Sequence, residues 1–409
     1  AEEDRPELLF RWSQALVEAG ELGKGVEKWN ELRKKHMSSS WAKQKSKEMM
    51  ELSAQVERLK EKGSEGAVSV TMAQVLFKQA EELLQQGKEA EAVARLDELV
   101  AKYPQSEWGK KASEGRALLL YKRGHDLMGQ GKLEEGQAKH AELMEKYAET
   151  ESAKKAAAEA KAREKTPPGM VYVPPGEFIM GSDPDEIVKE LTKVYGASAA
   201  AAARQVFGFD DETPRSVVYV DGFYIDKCEV TNADYKKFVD ATNGRAPAGW
   251  PDGKIPEGKE NHPVTHVTWH EAAEYAKWAG KRLPTEAEWE KAARGTDGRL
   301  YPWGAEFDSL KCNTKEADVG SPTEVGKYLE GQSPYGCLDM AGNVYEWTAD
   351  WYEPYPKSSF TLANPGEKMK VLRSSSFRDE RIFAHAANRF EYAPSKSQAI
   401  AGFRCAQTP

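Results

Sequence analysis

Residues 281–295 read KRLPTEAEWEKAARG and open an ordered series of short words that runs to the end of the chain. YPWG follows at 301–304, PYGCLDMAGNVYEWTADWY at 334–352, VLRSSSF at 371–377 and AGFRC at 401–405. In the first word Thr285 stands three residues before Glu288. That is the spacing of a capping box, in which the hydroxyl and the carboxylate each satisfy a backbone N–H of the first helical turn. Upstream, Thr268 and Glu271 repeat it in VTHVTWHEAAEYAKWAG, with Val264 and Val267 expected on a preceding strand, and Thr231 or Asn232 caps a helix in EVTNADYKKFVDAT. MVYVPPGEFIMGS, from Met170, alternates apolar and polar residues around Pro-Pro-Gly and predicts a hairpin. Asp185 to Val206 reads as a helical insertion, and RSVVYVDGFYIDKC as two strands.

The order of these words resembles the formylglycine-generating enzyme family, the sulfatase-modifying-factor domains whose fold is a variant of the C-type lectin fold. The resemblance covers about 240 residues, roughly three-fifths of the chain. It implies an α+β, loop-rich domain over residues 170–409 and, for active members, oxidation of a substrate cysteine by oxygen with a Cu(I) ion. Copper in that family is held by two cysteine thiolates about five residues apart, soft ligands that select Cu(I). Here the stretch after VLRSSSF reads RDERIFAHAANR, without cysteine. Alignment places Ser376 on the family's active-site serine, Asp379 near the first cysteine and Arg381 to Phe383 near the second. A permanently cationic guanidinium repels a metal, so copper is not expected. Ser374 and Ser375 replace two glycines of the family's RGGS.

The same resemblance implies calcium. DMAGNVYEW offers two side-chain oxygens, on Asp339 and Glu346, and the resemblance adds the carbonyls of Gly342 and Val344. Tyr345 stands where the family has Trp. A second set is Asn313, the carbonyl of Thr314, Asp318 and the carbonyl of Gly320. Four cysteines permit three pairings as two disulfides. The family fold allows Cys228 to reach Cys405, and Cys312 and Cys337 flank the calcium loops. The family's usual partner position for the terminal cysteine is Ala276 here. His266 and His270 are four apart, but Thr268 caps between them and assigns them to different elements. They and His385 read as ordinary histidines. No three-histidine constellation is present, so the iron centre of ergothioneine-type relatives is not expected.

The first 165 residues differ in kind. Ala, Glu, Lys, Leu and Gln dominate and cysteine is absent, whereas the remainder holds all four cysteines and most of the Gly, Pro and aromatic residues. Leu9, Phe10, Gly20, Val26, Leu32 and Trp41 align without a gap to Leu76, Phe77, Gly87, Val93, Leu99 and Trp108. A third copy matches Leu120, Tyr121, Gly131, Leu143, Tyr147 and Lys154 at an offset of 44 residues from the second. An additional helix, about Ala42 to Lys62, fills the longer first interval. Each copy predicts helix, turn, helix, and stacked copies share a core that one pair cannot bury alone. The pattern resembles tetratricopeptide repeats, especially the variety ending in YPxSxW found in bacterial envelope proteins. Gly136 and His140 replace better-packing residues, which marks the third copy as a cap.

A two-domain protein is therefore expected: all-α tetratricopeptide-like repeats over 1–165, a linker at 166–169 where Thr166, Pro167, Pro168 and Gly169 break a helix, and the α+β domain over 170–409. The net charge of -8 is spread in mixed runs, which speaks against nucleic acid as a partner and against a polybasic membrane patch. No apolar run is long enough to span a bilayer. The polar start at Ala1 fits a secreted, periplasmic or outer-membrane-associated protein whose signal has been removed.

Beside a purely structural stalk-and-head protein of an envelope assembly, two functional expectations follow. One is a non-catalytic binding or scaffold protein that holds protein partners through the repeats and a peptide or glycan at the C-terminal domain. The other is an enzyme of altered chemistry, similar to the siderophore-maturation branch of the family, with Ser376, Arg378, Asp379, Glu380 and Arg389 as a polar pocket.

Overall fold

The computed structural model describes residues 65–207, 209–362 and 366–409, together with Glu31 and Lys34. The first repeat copy and the expected helix at 42–62 lie outside the described residues. Two compact units are formed. One contains the described residues up to Leu119 with Glu149–Ser152, the other Leu120–Ala148 and Ala153–Pro409.

In the first unit, α1 (Glu65–Gln85) turns at Gly87 into α2 (Glu89–Lys102). Gly87 adopts φ 73, the left-handed conformation that ends a helix without a Cβ penalty. Leu76, Ala80, Leu96, Leu99 and Ala112 form the core between these helices and the start of α3 (Glu107–Gly129). The third copy reproduces the geometry. Gly131 has φ 85, and Lys132 (φ -89, ψ 62) matches Lys88 (φ -90, ψ 61) ahead of α4 (Leu133–Lys146). The two 44-residue copies thus share backbone conformation as well as sequence pattern.

The second unit joins the end of α3, α4 and most of α5 (Glu151–Glu164) to the C-terminal residues. Approach is close where the Tyr224 hydroxyl donates to Ala162 O at 2.7 Å. It is closest at Gly295, where an added Cβ would lie 2.1 Å from Gly129 O.

After α5 come β1 (Met170–Val173) and β2 (Gly176–Met180), which do not pair with each other as a hairpin would. β1 pairs with β4 (Phe223–Asp226), and β2 with β3 (Ser216–Val220). Pro174 and Pro175 lack N–H groups, so the link between them carries the chain from one sheet to another instead of folding it back. The expected insertion is two helices, α6 (Pro184–Tyr195) and α7 (Ala197–Phe207), broken at Gly196.

Three capped helices follow: α8 (Asn232–Thr242), α9 (Trp269–Trp278) and α10 (Glu286–Arg294). Thr231 caps the first, and both expected capping boxes are complete. Val264 and Val267 are buried on chain outside any named strand, where Val264 N donates to Val230 O and His266, at φ 59, interrupts extended backbone. The last sheet has the order β7 (Arg389–Tyr392), β6 (Lys370–Arg373), β5 (Tyr345–Trp351), β8 (Ala401–Gly402), with β5 and β8 parallel. β9 (Ala406–Gln407) completes the β1–β4 sheet.

Aromatic residues from α8, α9 and β5 fill one core around Tyr235, Tyr275, Trp347 and Phe403. Trp289 anchors a second against β1–β4. α10 packs on β2, β3, β5 and β6, which explains why every residue of Glu286 and Glu288–Arg294 is buried.

Candidate functional site

Burying five charged residues on one helix of nine, α10, requires partners. Glu286 accepts from Arg373 Nη1 at 2.9 Å and from Arg389 Nε at 2.6 Å and Nη2 at 3.1 Å. Glu290 accepts from Arg373 Nη2 and Arg294 Nη1, each at 2.8 Å. The result is an alternating chain, Arg389–Glu286–Arg373–Glu290–Arg294, closed to solvent. Lys291 donates to Pro174 O at 2.7 Å and Gly176 O at 2.9 Å, fixing the link between β1 and β2. Apart from Arg294 on the same helix, these partners lie 83–117 residues away in sequence, which spacing rules for single elements do not reach.

β6 delivers the loop on which the family's chemistry turns. Ser374 adopts φ 71, a conformation glycine would enter at less cost. Its Oγ donates to Gly342 O at 3.2 Å, and Gly342 N donates to Ser375 Oγ at 3.1 Å. The two serines in place of glycines therefore stitch this loop to the AGNVYEW loop. Next, Asp379 Oδ2 accepts from Ser376 N at 2.8 Å and Ser376 Oγ at 2.6 Å, while Asp379 N donates to Ser376 O. Tyr345 faces Asp379, and burial, reinforced by that carboxylate, pushes its phenol upward.

The five expected pocket residues are only partly brought together. Ser376 and Asp379 touch, but Ser376 is fully buried. Arg378 and Glu380 are exposed, with Glu380 paired to Lys315 at 2.6 Å. Arg389 does not join them: it is held by Glu286, the carbonyls of Asp211 and Glu353, and the rings of Tyr352 and Tyr355.

The two expected calcium loops do meet. Asn313 and Gly342 form a parallel bridge, and Asn343 N donates to Asn313 O at 2.8 Å. Asn313 Nδ2 donates to Ser321 O and Asn343 Oδ1, leaving Asn313 Oδ1 buried without a partner. Thr314 is buried beside it, whereas Asp318 and Gly320 are exposed. The unpartnered Asn313 Oδ1 is an oxygen of the kind a hard cation takes, while no contact among the described residues brings Asp318 or Gly320 to it.

The other set fits less well. Both Glu346 oxygens are engaged by Arg404, at 2.6 and 2.7 Å, and one also by Trp289 Nε1 at 2.8 Å. Gly342 O already accepts from Ser374, Val344 is buried, and Asp339 Oδ2 accepts from Gly326 N at 2.5 Å. Glu346 is thus a core ion-pair partner whose two oxygens already accept three hydrogen bonds.

Glu229, which the sequence reading missed, faces Asp339 here. Burial, followed by the charges of Asp339 and Glu346, pushes it well above the usual carboxylate range, and its Oε2 has no hydrogen-bond partner. Only its place in CEVTN, three residues ahead of the capped helix α8, hinted at it.

Neither expected disulfide is formed; all four cysteines are free thiols. The β4–β9 register sets Cys405 opposite Asp226, with Asp226 N donating to Cys405 O. Cys228 lies beyond the end of β4, where its sulfur faces Gly326. Burial holds the thiols of Cys228 and Cys312 at about 12 and that of Cys337 at about 11, and pushes Cys405 well above the usual range. Metal ligation by cysteine needs the thiolate. His266 and His270 fall on either side of the Thr268 cap, and His385 Nε2 pairs with Glu212 at 2.8 Å.

Capped helices, a mixed sheet ending in β8 and the joined 313 and 342 loops define an α+β, loop-rich domain of the sulfatase-modifying type. Residues 154–409 match the sulfatase-modifying factor enzyme 1-like domain, and the chain belongs to that family. It is similar to the formylglycine-generating enzyme of Streptomyces coelicolor, 34% identical over 306 residues, covering 60% of this chain and 91% of that enzyme. The Mus musculus enzyme is 31% identical over 325 residues, covering 61% and 81%. The inactive C-alpha-formylglycine-generating enzyme 2 of Mus musculus is 30% identical over 296 residues, covering 59% and 86%. Among solved structures, PvdO from Pseudomonas aeruginosa superposes with a TM-score of 0.45 at 24% identity, covering 59% of this chain and 94% of that one. Among the described residues no helix is long and apolar enough to cross a membrane.

Proposed function

We propose that this chain is a non-catalytic binding and scaffold protein of the cell envelope, one that keeps the sulfatase-modifying-factor fold without its copper oxidation. The observation that carries this reading is Asp379, which stands near the position of a copper thiolate and is engaged by the N–H and hydroxyl of Ser376. A carboxylate so occupied is a poor Cu(I) ligand, and the four remaining thiols are held protonated by burial elsewhere. The family also contains a member whose name marks it as inactive.

In this reading the tetratricopeptide-like repeats of 1–165 hold a protein partner, and the C-terminal domain holds a peptide or glycan. Envelope placement rests on the resemblance of the repeats to those of bacterial envelope proteins. Calcium serves as a structural ion, with Asn313 the best-prepared ligand. The alternative, an enzyme working through the Ser376–Asp379 pair, is disfavoured by the burial of Ser376, which a substrate does not reach in this arrangement.

The test is capture. Immobilised full-length chain, washed with native envelope extract in calcium, retains a defined protein or glycan that elutes unaltered. Recovery of a chemically changed ligand, seen as a new mass that accumulates with time, would replace binding with catalysis.

A further inference from the structure

The third repeat copy differs from the second in a set of positions that meet in space. At the 44-residue offset, Phe77, Ala80, Glu81, Ala92 and Leu96 become Tyr121, Gly124, His125, Gly136 and His140. In the second copy Leu96 is a buried apolar plug, with Ala80 and Ala92 fully buried near it. In the third copy the plug is an imidazole, and Gly124 and Gly136 make room for it. A Cβ on Gly124 would lie 2.2 Å from His140 Cδ2, and one on Gly136 2.5 Å from Gly124 O. Replacing a leucine by a buried histidine is costly unless its nitrogens are satisfied.

One nitrogen is. His140 Nε2 lies 3.1 Å from Tyr121 O, and a carbonyl only accepts, so Nε2 carries the proton. Nδ1 is then a bare lone pair, and it faces Glu159 Oε2 at 3.9 Å. Two acceptors turned toward one another in a buried site repel unless a cation lies between them. Glu159 is buried; His125 Nε2 hydrogen-bonds its Oε1 at 3.3 Å and lies 3.0 Å from Oε2, which itself makes no hydrogen bond of acceptable geometry. The three donor atoms all lie within 4.8 Å of one another.

We propose that His125, His140 and Glu159 bind one divalent transition-metal ion of the zinc class. Two imidazoles and a carboxylate suit such an ion, and bonds of about 2.0–2.2 Å are reached by about 1 Å of side-chain closure. The outer groups are in place. Tyr121 gives its carbonyl to His140 and its hydroxyl to Glu159 Oε1, and its ring stacks on His140 with centroids 5.2 Å apart. The ligands come from α3, α4 and α5, so the ion ties three helices of the second unit together.

The experiment uses the full chain stripped with chelator, loaded with zinc sulfate and dialysed. One zinc per chain is expected by elemental analysis. Cobalt chloride in its place gives visible ligand-field absorption, and a zinc-dependent rise in melting temperature is reversed by chelator. Glu159→Gln, which keeps an acceptor for Tyr121, and His125→Asn each lose the retained zinc while the far-UV circular dichroism is unchanged. Absence of retained zinc and of a cobalt spectrum in the wild-type chain overturns the proposal, and this result does not depend on whether a variant folds. Retention unaltered in both variants overturns it too, by moving the ion to another site.

Discussion

Asp379 and Tyr345 show how two substitutions make a new local order. By the family resemblance Asp379 stands near a copper thiolate and Tyr345 in place of a tryptophan; here a carboxylate and a phenol face each other. The carboxylate closes its own turn through Ser376, so the loop is satisfied internally. Loss of the cysteines was readable from RDERIFAHAANR alone. The approach of Tyr345 to Asp379 was not, because it joins residues on separate segments that no local pattern relates. Arg389 illustrates the same limit: nothing among its sequence neighbours Asn388 and Phe390 points to its partner, Glu286, 103 residues away.

Among the elements, α10 decides most. Its capping box was plain from Thr285 and Glu288, and Glu288 does more than cap, accepting from Arg282 Nη1 at 2.6 Å and Nη2 at 2.7 Å. Thr285→Ala should lower stability by about 1 kcal/mol, the usual cost of losing an N-cap, as a shifted urea midpoint at constant slope. The helix starts were therefore legible, because caps are local chemistry. The β1–β2 link was misread for an equally physical reason. Alternation of apolar residues sets which face of a strand is buried, but it does not choose the partner strand. Lys291, reaching from α10 to the carbonyls of Pro174 and Gly176, holds the crossing that the pattern left open.

For the whole molecule, the division into a helical and a loop-rich half was visible in composition, and the recurrence of Gly87 and Gly131 gave the helical turns. Less visible was that the third copy folds with the C-terminal residues, since the contact at Gly129 and Gly295 joins positions that no repeat pattern relates. The proposed calcium ion belongs to this scale, because a ligand bound only by the native state raises its stability by mass action. Calcium should raise the melting temperature by several degrees at about a hundred times its Kd, chelator should reverse it, and Asn313→Ala should remove most of the gain.

The most direct measurement supplies the full chain with Cu(I), oxygen and a cysteine-containing sulfatase peptide and follows the peptide by mass spectrometry with aldehyde trapping. With Asp379 bound to Ser376, Cys312, Cys337 and Cys405 buried and Cys228 half-buried, and all four thiols pushed up, the peptide cysteine is predicted to be unchanged. Formylglycine appearing in proportion to added chain would contradict the account.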